Sequence, residues 1–140
     1  MTDIKDLLPH RDPFLFVDRI EKTDDEEVIG YRLFTGSEFF FAGHFPGFPV
    51  VPGVILLETL AQCGGAGSRL HTGNEGLFFL ATIDKVKFRR QVRPGDEVRM
   101  VIRNLRVTKR MCRQEGKAYV GEELAVEAEW LCLIGEAPTG

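Results

Sequence analysis

The sequence predicts an α+β chain in which one antiparallel β-sheet wraps around a single central α-helix. Three observations carry that expectation. A nearly uninterrupted apolar segment after Pro52 has the length and punctuation of one helix; strand-like patterns fill most of the remainder, two before the helix and four after it; and no internal repeat or interdomain linker divides the 140 residues.

Residues 14–21 and 26–34 read as strands separated by the polar Lys22-Thr23-Asp24-Asp25 turn, an opening hairpin. Residues 35–51 read as a long loop, because Gly36, Gly43, Pro46, Gly47 and Pro49 interrupt an aromatic-rich run. A loop this long inside a small domain points to function. Pro52 suits the first turn of a helix, where its missing N–H costs nothing. Gly53-Val54-Ile55-Leu56-Leu57-Glu58-Thr59-Leu60-Ala61-Gln62 continues that helix and is apolar almost all round, so it should be buried on most sides. The small run Cys63-Gly64-Gly65-Ala66-Gly67-Ser68 would let a sheet approach closely before the helix ends near His71-Thr72-Gly73. Beyond Gly76, residues 77–89, 97–108, 112–120 and 124–134 read as strands, with turns at Arg93-Pro94-Gly95-Asp96 and Gly121-Glu122-Glu123. The last strand alternates most cleanly and sets Leu124, Val126, Ala128, Trp130, Cys132 and Ile134 on one face.

Composition bounds what such a fold could do. With 44% hydrophobic residues and no low-complexity stretch, the chain is expected to form one domain over residues 1–140. The start, MTDIKDLLPHRDPF, is not a basic segment followed by an apolar one, and no run approaches the roughly 18 apolar residues of a membrane span, so a cytoplasmic protein with no membrane association is expected. Cys63, Cys112 and Cys132 are odd in number, widely spaced and without a CxxC pair, which predicts reduced, packed thiols rather than a disulfide framework or a zinc site. Net charge is only -3, but it is unevenly spread. Between Lys85 and Arg113 eleven Lys/Arg face two acids, Asp96 and Glu97, a local +9 against -12 for the rest of the chain. Such a region can steer an acidic partner; a solvated strand face, or contacts with acidic parts of a neighbouring subunit, would account for it as well. No zinc-finger, RNA-binding or basic-helix pattern accompanies the charges, so nucleic acid is not expected.

His44 and Glu58 lie fourteen residues apart in GHFPGFPVVPGVILLE, on either side of the turn that opens the helix. Histidine, with an ordinary pKa near 6.5, is largely neutral at cytosolic pH and can accept a proton. A glutamate on a buried apolar helix has its charged form penalised, and a protonated carboxyl can donate. Taken singly, a histidine in a glycine-rich loop is more often structural, and such a glutamate can be satisfied by backbone or by Gln62, one turn further on. Together they make a candidate base and acid. His71, at the helix end, suits the dipole there.

It is at GHFPG, PGVILLE and AQ that the chain resembles the 3-hydroxyacyl-acyl-carrier-protein dehydratases of the FabZ type, and the similarity covers nearly all of it. The matching blocks are Leu8-Pro9-His10-Arg11, Pro13-Phe14-Leu15 and Val17-Asp18; Gly43-His44-Phe45-Pro46-Gly47, Pro52-Gly53-Val54, Glu58 and Ala61-Gln62; then Ile83-Asp84-Lys85, Phe88-Arg89, Pro94-Gly95-Asp96 and Lys117-Ala118-Tyr119-Val120. The resemblance implies a hot-dog fold. It further implies that His44 removes the proton beside the substrate thioester and that Glu58 helps the 3-hydroxyl leave as water, giving a trans-2-enoyl thioester. Negative charge then develops on the thioester oxygen, and the Gly53 amide, at the start of the helix, is the implied donor to it. His10 would shape the amino-terminal segment. The Phe39-Phe40-Phe41 run and Phe78-Phe79 could line an acyl tunnel or pack the core.

No metal or redox cofactor is implied, because the substrate arrives on the phosphopantetheine arm of acyl-carrier protein. That carrier is strongly acidic, which makes Lys85, Lys87, Arg89, Arg90 and Arg93, with other cations up to Arg113, candidates for docking it. The resemblance also implies a dimer with each site built from His44 of one subunit and Glu58 of the other, and dimers assembled into hexamers. A hot-dog thioesterase, a dehydratase of a polyketide or other specialised acyl pathway, and a non-catalytic carrier-binding module are the alternatives. A dehydratase/isomerase would carry aspartate where this chain has Glu58. The chain departs from the family pattern at Phe48, where a basic or polar residue is common, and in the hairpin around Cys112 and Arg113.

Overall fold

The computed structural model describes residues 3–136. A short helix α1 (Ile4–Leu7) is followed by strands β1 (Arg19–Thr23) and β2 (Glu27–Leu33), helix α2 (Gly53–Thr72), and strands β3 (Leu77–Phe88), β4 (Glu97–Val107), β5 (Met111–Val120) and β6 (Glu123–Gly135). The six strands form one antiparallel sheet in the order β1-β2-β4-β5-β6-β3. This is the hot-dog fold, with α2 as its central helix.

Helix α2 starts and stops where the sequence predicts. Pro52 precedes its first residue, and Gly73, at φ 73°, closes it with its N–H on Arg69 O at 2.8 Å. Its 20 residues span about 30 Å. The sheet closes on the helix because several contact positions lack a side chain. A Cβ on Gly64 would run into the Gln114 amide, one on Gly67 into Val28, and one on Gly30 of β2 would lie 2.5 Å from Cys63 Sγ.

A buried polar network crosses this contact. Gln114 donates to Gly64 O at 3.2 Å and to Asn104 Oδ1 at 2.8 Å while its Oε1 accepts from Trp130 Nε1 at 3.2 Å. Asn104 continues it to the β1–β2 turn by donating to Asp24 O and Asp25 O. Satisfied on all sides, these amides fix the position of the helix over the sheet without leaving a costly orphan.

Three sequence expectations shift. Residues 14–18 are not strand: Phe16 and Val17 are buried, but the Phe16 N–H donates to Gln62 Oε1 at 2.8 Å instead of joining a ladder, and β1 begins only at Arg19. The turn is also shorter than predicted. β1 runs through Thr23, and the Asp24 carboxylate takes the N–H groups of Glu26 and Glu27, both at 2.8 Å. In β6 the alternation is interrupted near its start, where the register slips between Ala118 and Tyr119 of β5 and Ala125 is buried beside Val126; from Val126 to Cys132 it holds. The Ala125 carbonyl takes the Arg89 and Arg90 N–H groups where the chain leaves β3.

The three cysteines are free and buried, with burial pushing the Cys63 thiol well above its ordinary range, Cys112 up to about 11 and Cys132 up to about 12. The native protein is therefore expected to leave a thiol-specific colour reagent unreacted at pH 8 and to react with three equivalents once denatured. Rapid labelling of the native state would contradict the burial of these side chains.

Strand β3 is the longer of the two strands with no buried residue, β1 being the other. It lies at one edge of the sheet, pairs only with β6, and exposes most of its residues, including Phe79, Leu80, Ile83 and Phe88. A long edge strand with apolar side chains and free ladder groups is a ready template for another strand.

Candidate active site

His44 lies in the loop before α2, and the backbone around it forms a small closed unit. The Val50 N–H donates to His44 O at 2.9 Å while the Val50 carbonyl lies 3.1 Å from His44 Nδ1. A carbonyl can only accept, so Nδ1 carries the hydrogen, and in the neutral ring Nε2 is left bare. The Phe45 ring stacks on the imidazole, with centroids 4.1 Å apart and planes 26° apart. The ring is thus held in one tautomer and one plane, as a base requires.

Three residues after Val50 the chain enters α2. Among the described residues the Gly53 and Val54 N–H groups find no acceptor, so the helix start presents free donors and the positive end of its dipole. A Cβ on Gly53 would lie 2.7 Å from Phe88 Cε1, so only glycine lets the end of β3 cover this turn.

Glu58 sits one and a half turns further on. The apolar helix predicted a carboxylate sealed in the core, yet a quarter of its side chain is exposed in the single chain, because it faces the amino-terminal segment rather than the sheet. Gln62 Nε2 donates to Glu58 Oε2 at 2.9 Å and to Phe14 O at 3.0 Å, and Gln62 Oε1 accepts from the Phe16 N–H. Every polar atom of that amide is committed, which fixes both its orientation and the carboxylate it holds. His10 Nε2 lies 3.7 Å from the same Oε2, and burial lowers the His10 pKa, with the Glu58 charge opposing the shift. Sequence reasoning gave His10 a shaping role only. Its place in Leu8-Pro9-His10-Arg11 was the one available signal of anything more.

No hydrogen bond or ion pair joins His44 to Glu58 within the chain among the described residues. His44 and Glu58 are each held firmly, but by separate surroundings. Nor is any group of three or more His, Cys, Asp or Glu side chains placed to hold a metal ion among the described residues.

The basic stretch is less bare than its sequence suggests. Lys85 pairs with Glu129 at 3.2 Å, Arg89 with Glu127 at 3.4 Å, and Arg90 with Glu123 at 3.4 Å and Asp96 at 3.8 Å. Strand pairing brings acids of β6 alongside cations that sequence alone leaves unopposed. Lys87 and Arg93 are exposed and carry no ion pair among the described residues; the Arg93 guanidinium lies over the Phe48 ring, 4.2 Å from its centroid. At the position where Phe48 departs from the family pattern, a cation is therefore present after all, supplied by Arg93. Of the other aromatics, Phe40 and Phe41 are core, whereas Phe39 and Phe79 are exposed.

The FabA-like domain family model matches residues 8–129. The chain is 46% identical over 137 residues to a 3-hydroxyacyl-[acyl-carrier-protein] dehydratase FabZ of Desulforamulus reducens, covering 95% of each chain. It is 39% identical over 140 residues to a FabZ of Coxiella burnetii, covering 96% of this chain and 99% of that one. Among solved structures, the dehydratase heterocomplex ApeI:P from Xenorhabdus doucetiae matches with a TM-score of 0.83 at 15% identity, over 97% of this chain and 93% of that one. A putative thioesterase from Ralstonia eutropha matches with a TM-score of 0.65 at 17% identity, over 82% of this chain and 83% of that one. At such identities these two likenesses speak for the fold alone.

Proposed function

The chain belongs to the FabA-like domain family, and from that premise we propose that it is a 3-hydroxyacyl-[acyl-carrier-protein] dehydratase of fatty acid biosynthesis. The observation that carries the reading is the pairing of 46% identity across nearly the whole chain with a histidine held as the Nδ1–H tautomer and a glutamate held by Gln62.

In this reading His44 Nε2 takes the proton from the carbon next to the thioester. The electron pair moves toward the thioester oxygen, where the Gly53 N–H stabilises the developing charge. The C3–O bond then breaks, Glu58 gives its proton to the leaving hydroxyl, and the products are water and a trans-2-enoyl thioester. His44 ends protonated and Glu58 ionised, and a proton passed between them resets the site. Both proton transfers use side chains of the protein, so no cofactor is needed beyond the phosphopantetheine that the carrier brings. No described helix is long and apolar enough to cross a membrane, and we assign the activity to the cytoplasm.

The reading includes a second copy of the chain. His44 and Glu58 are not joined within one chain, and β3 leaves a twelve-residue edge with exposed Phe79, Ile83 and Phe88. Pairing β3 with β3 about a two-fold axis covers that edge and brings His44 of one protomer to Glu58 of its partner. Three such dimers, arranged as a trimer of dimers, make the hexamer that the family resemblance implies.

The test is to incubate the purified protein with a 3-hydroxyacyl thioester on acyl-carrier protein and follow the product mass. Loss of 18 mass units, the mass of one water, supports dehydration; release of free carrier thiol instead would support a thioesterase. In the same assay, Lys87→Glu and Arg93→Glu are expected to raise KM for the carrier-linked substrate about fivefold at low salt and to leave a small pantetheine thioester unaffected. Equal changes for both substrates would remove these cations from carrier docking.

A further inference from the structure

The first 18 residues contribute a side chain to the acid that the reaction scheme leaves unused. His10 and Glu58 are 48 positions apart, yet His10 Nε2 lies 3.7 Å from Glu58 Oε2, within ion-pair reach and beyond a hydrogen bond. Its other nitrogen, Nδ1, is buried and has no hydrogen-bond partner among the described residues. An N–H there would be an unmet donor. Placing the hydrogen on Nε2, toward the carboxylate, avoids that cost.

We propose that His10 is a positioning residue for Glu58: as a neutral imidazole it joins the Gln62 amide in acting on Oε2, and so leaves Oε1 as the oxygen that carries the proton and delivers it to the leaving hydroxyl. The inference rests on the dehydratase reading above.

The chemistry of a carboxylic acid makes the two oxygens unequal. One is a carbonyl oxygen that accepts hydrogen bonds, the other a hydroxyl that donates one. Gln62 Nε2 donates to Oε2 at 2.9 Å, and Gln62 cannot turn, because its Oε1 holds the Phe16 N–H and its second N–H holds Phe14 O. Oε2 is therefore the carbonyl oxygen. The N–H dipole of a neutral His10, 3.7 Å from the same oxygen, reinforces that choice through space rather than by a hydrogen bond.

The charge state of His10 is the critical part. A cation 3.7 Å from Oε2 would hold Glu58 as a carboxylate, which has no proton to give. Burial works against that cation, and Glu58 is the charged group acting on the ring. Arg11, the cation next to His10 in sequence, is turned away to backbone: it donates to His10 O at 2.7 Å, Leu8 O at 2.8 Å and Lys5 O at 3.2 Å.

Three variants separate positioning from simple packing. His10→Gln offers a neutral N–H at the reach of Nε2, His10→Leu offers bulk without a donor, and His10→Lys places a permanent cation beside Glu58. The expected result with carrier-linked substrate is kcat within about threefold of wild type for Gln, about tenfold lower for Leu, and about a hundredfold lower for Lys, with KM little changed throughout. In the Lys variant the limb of the pH profile that reports Glu58 should also move to lower pH by about one unit or more.

Equal kcat for the Gln and Leu variants at equal thermal stability overturns the proposal, and so does an unmoved limb in the Lys variant. If the Lys variant does not fold, the split between Gln and Leu decides alone. Wild type and Glu58→Gln run alongside. Inactive wild type would sink the dehydratase reading itself, whereas active wild type with indifferent His10 variants would sink only the role of His10.

Discussion

Mixing two inactive variants, His44→Ala and Glu58→Ala, is expected to restore roughly a quarter of wild-type dehydration after joint unfolding and refolding. Each alone should lose about a thousandfold in kcat, since in the proposed mechanism each removes one proton-transfer group. The arithmetic follows from a shared site. Random pairing makes half of the dimers mixed. In each mixed dimer one site draws its histidine from the Glu58→Ala chain and its glutamate from the His44→Ala chain, and is intact; the other site lacks both. Product formation by mass spectrometry, with each variant refolded alone as control, reads the outcome. No recovery on mixing would mean that base and acid act within one chain, and the dimeric site would have to be abandoned. The local geometry favours recovery: His44 is bound to Val50 and Glu58 to Gln62, so either group stays in place when the other is truncated.

Gly64→Ala is expected to cost about 2–3 kcal/mol of stability, lowering Tm by roughly 10 °C in a chain of this size. The new methyl group has nowhere to go. It enters the space of the Gln114 amide, which is itself tied to Gly64 O, Asn104 and Trp130, so moving it breaks bonds in a buried network. The neighbouring residue supplies the control. At Gly65 the nearest atom to a new Cβ is Phe78 Cδ2 at 3.6 Å, an ordinary contact. Gly65→Ala should therefore be neutral or stabilising by up to about 1 kcal/mol, because alanine is the better helix former. Thermal melts at one fixed protein concentration compare the two. If both alanines act alike, helix propensity rather than the approach of β5 governs this segment, and the packing account fails.

The contrast between neighbouring glycines also marks how far the sequence could be read. A run of small residues announced a close approach to the sheet, but only the folded register tells that Gly64 meets Gln114 and Gly67 meets Val28. Helix α2 was legible from end to end because its signals are local: proline before it, a left-handed glycine after it, and apolar residues between. Strand existence was legible for the same reason. Strand order was not, since β3 carries no period that sets it at the far edge beside β6 rather than next to α2 in sequence. Residues 14–18 misled because an apolar extended segment looks like a strand whether its N–H groups meet a ladder or, as at Phe16, a side-chain amide 46 positions away. The candidate base and acid came from spacing and family resemblance. The surroundings of Glu58 did not, because Phe14, Phe16 and His10 reach it across more than forty residues of chain.

Gln62 gives this arrangement a thermal consequence. A single amide holds the amino-terminal segment through Phe14 and Phe16 and holds Glu58 on the same nitrogen that binds Phe14. The segment itself adds no strand to the sheet before Arg19. Its side chains Leu7, Leu8, Leu15, Phe16 and Val17 are nevertheless buried in the core, so the segment comes away only together with part of that core. The acid therefore keeps its orientation for as long as the core stands, and activity is expected to persist up to the temperature at which the protein melts.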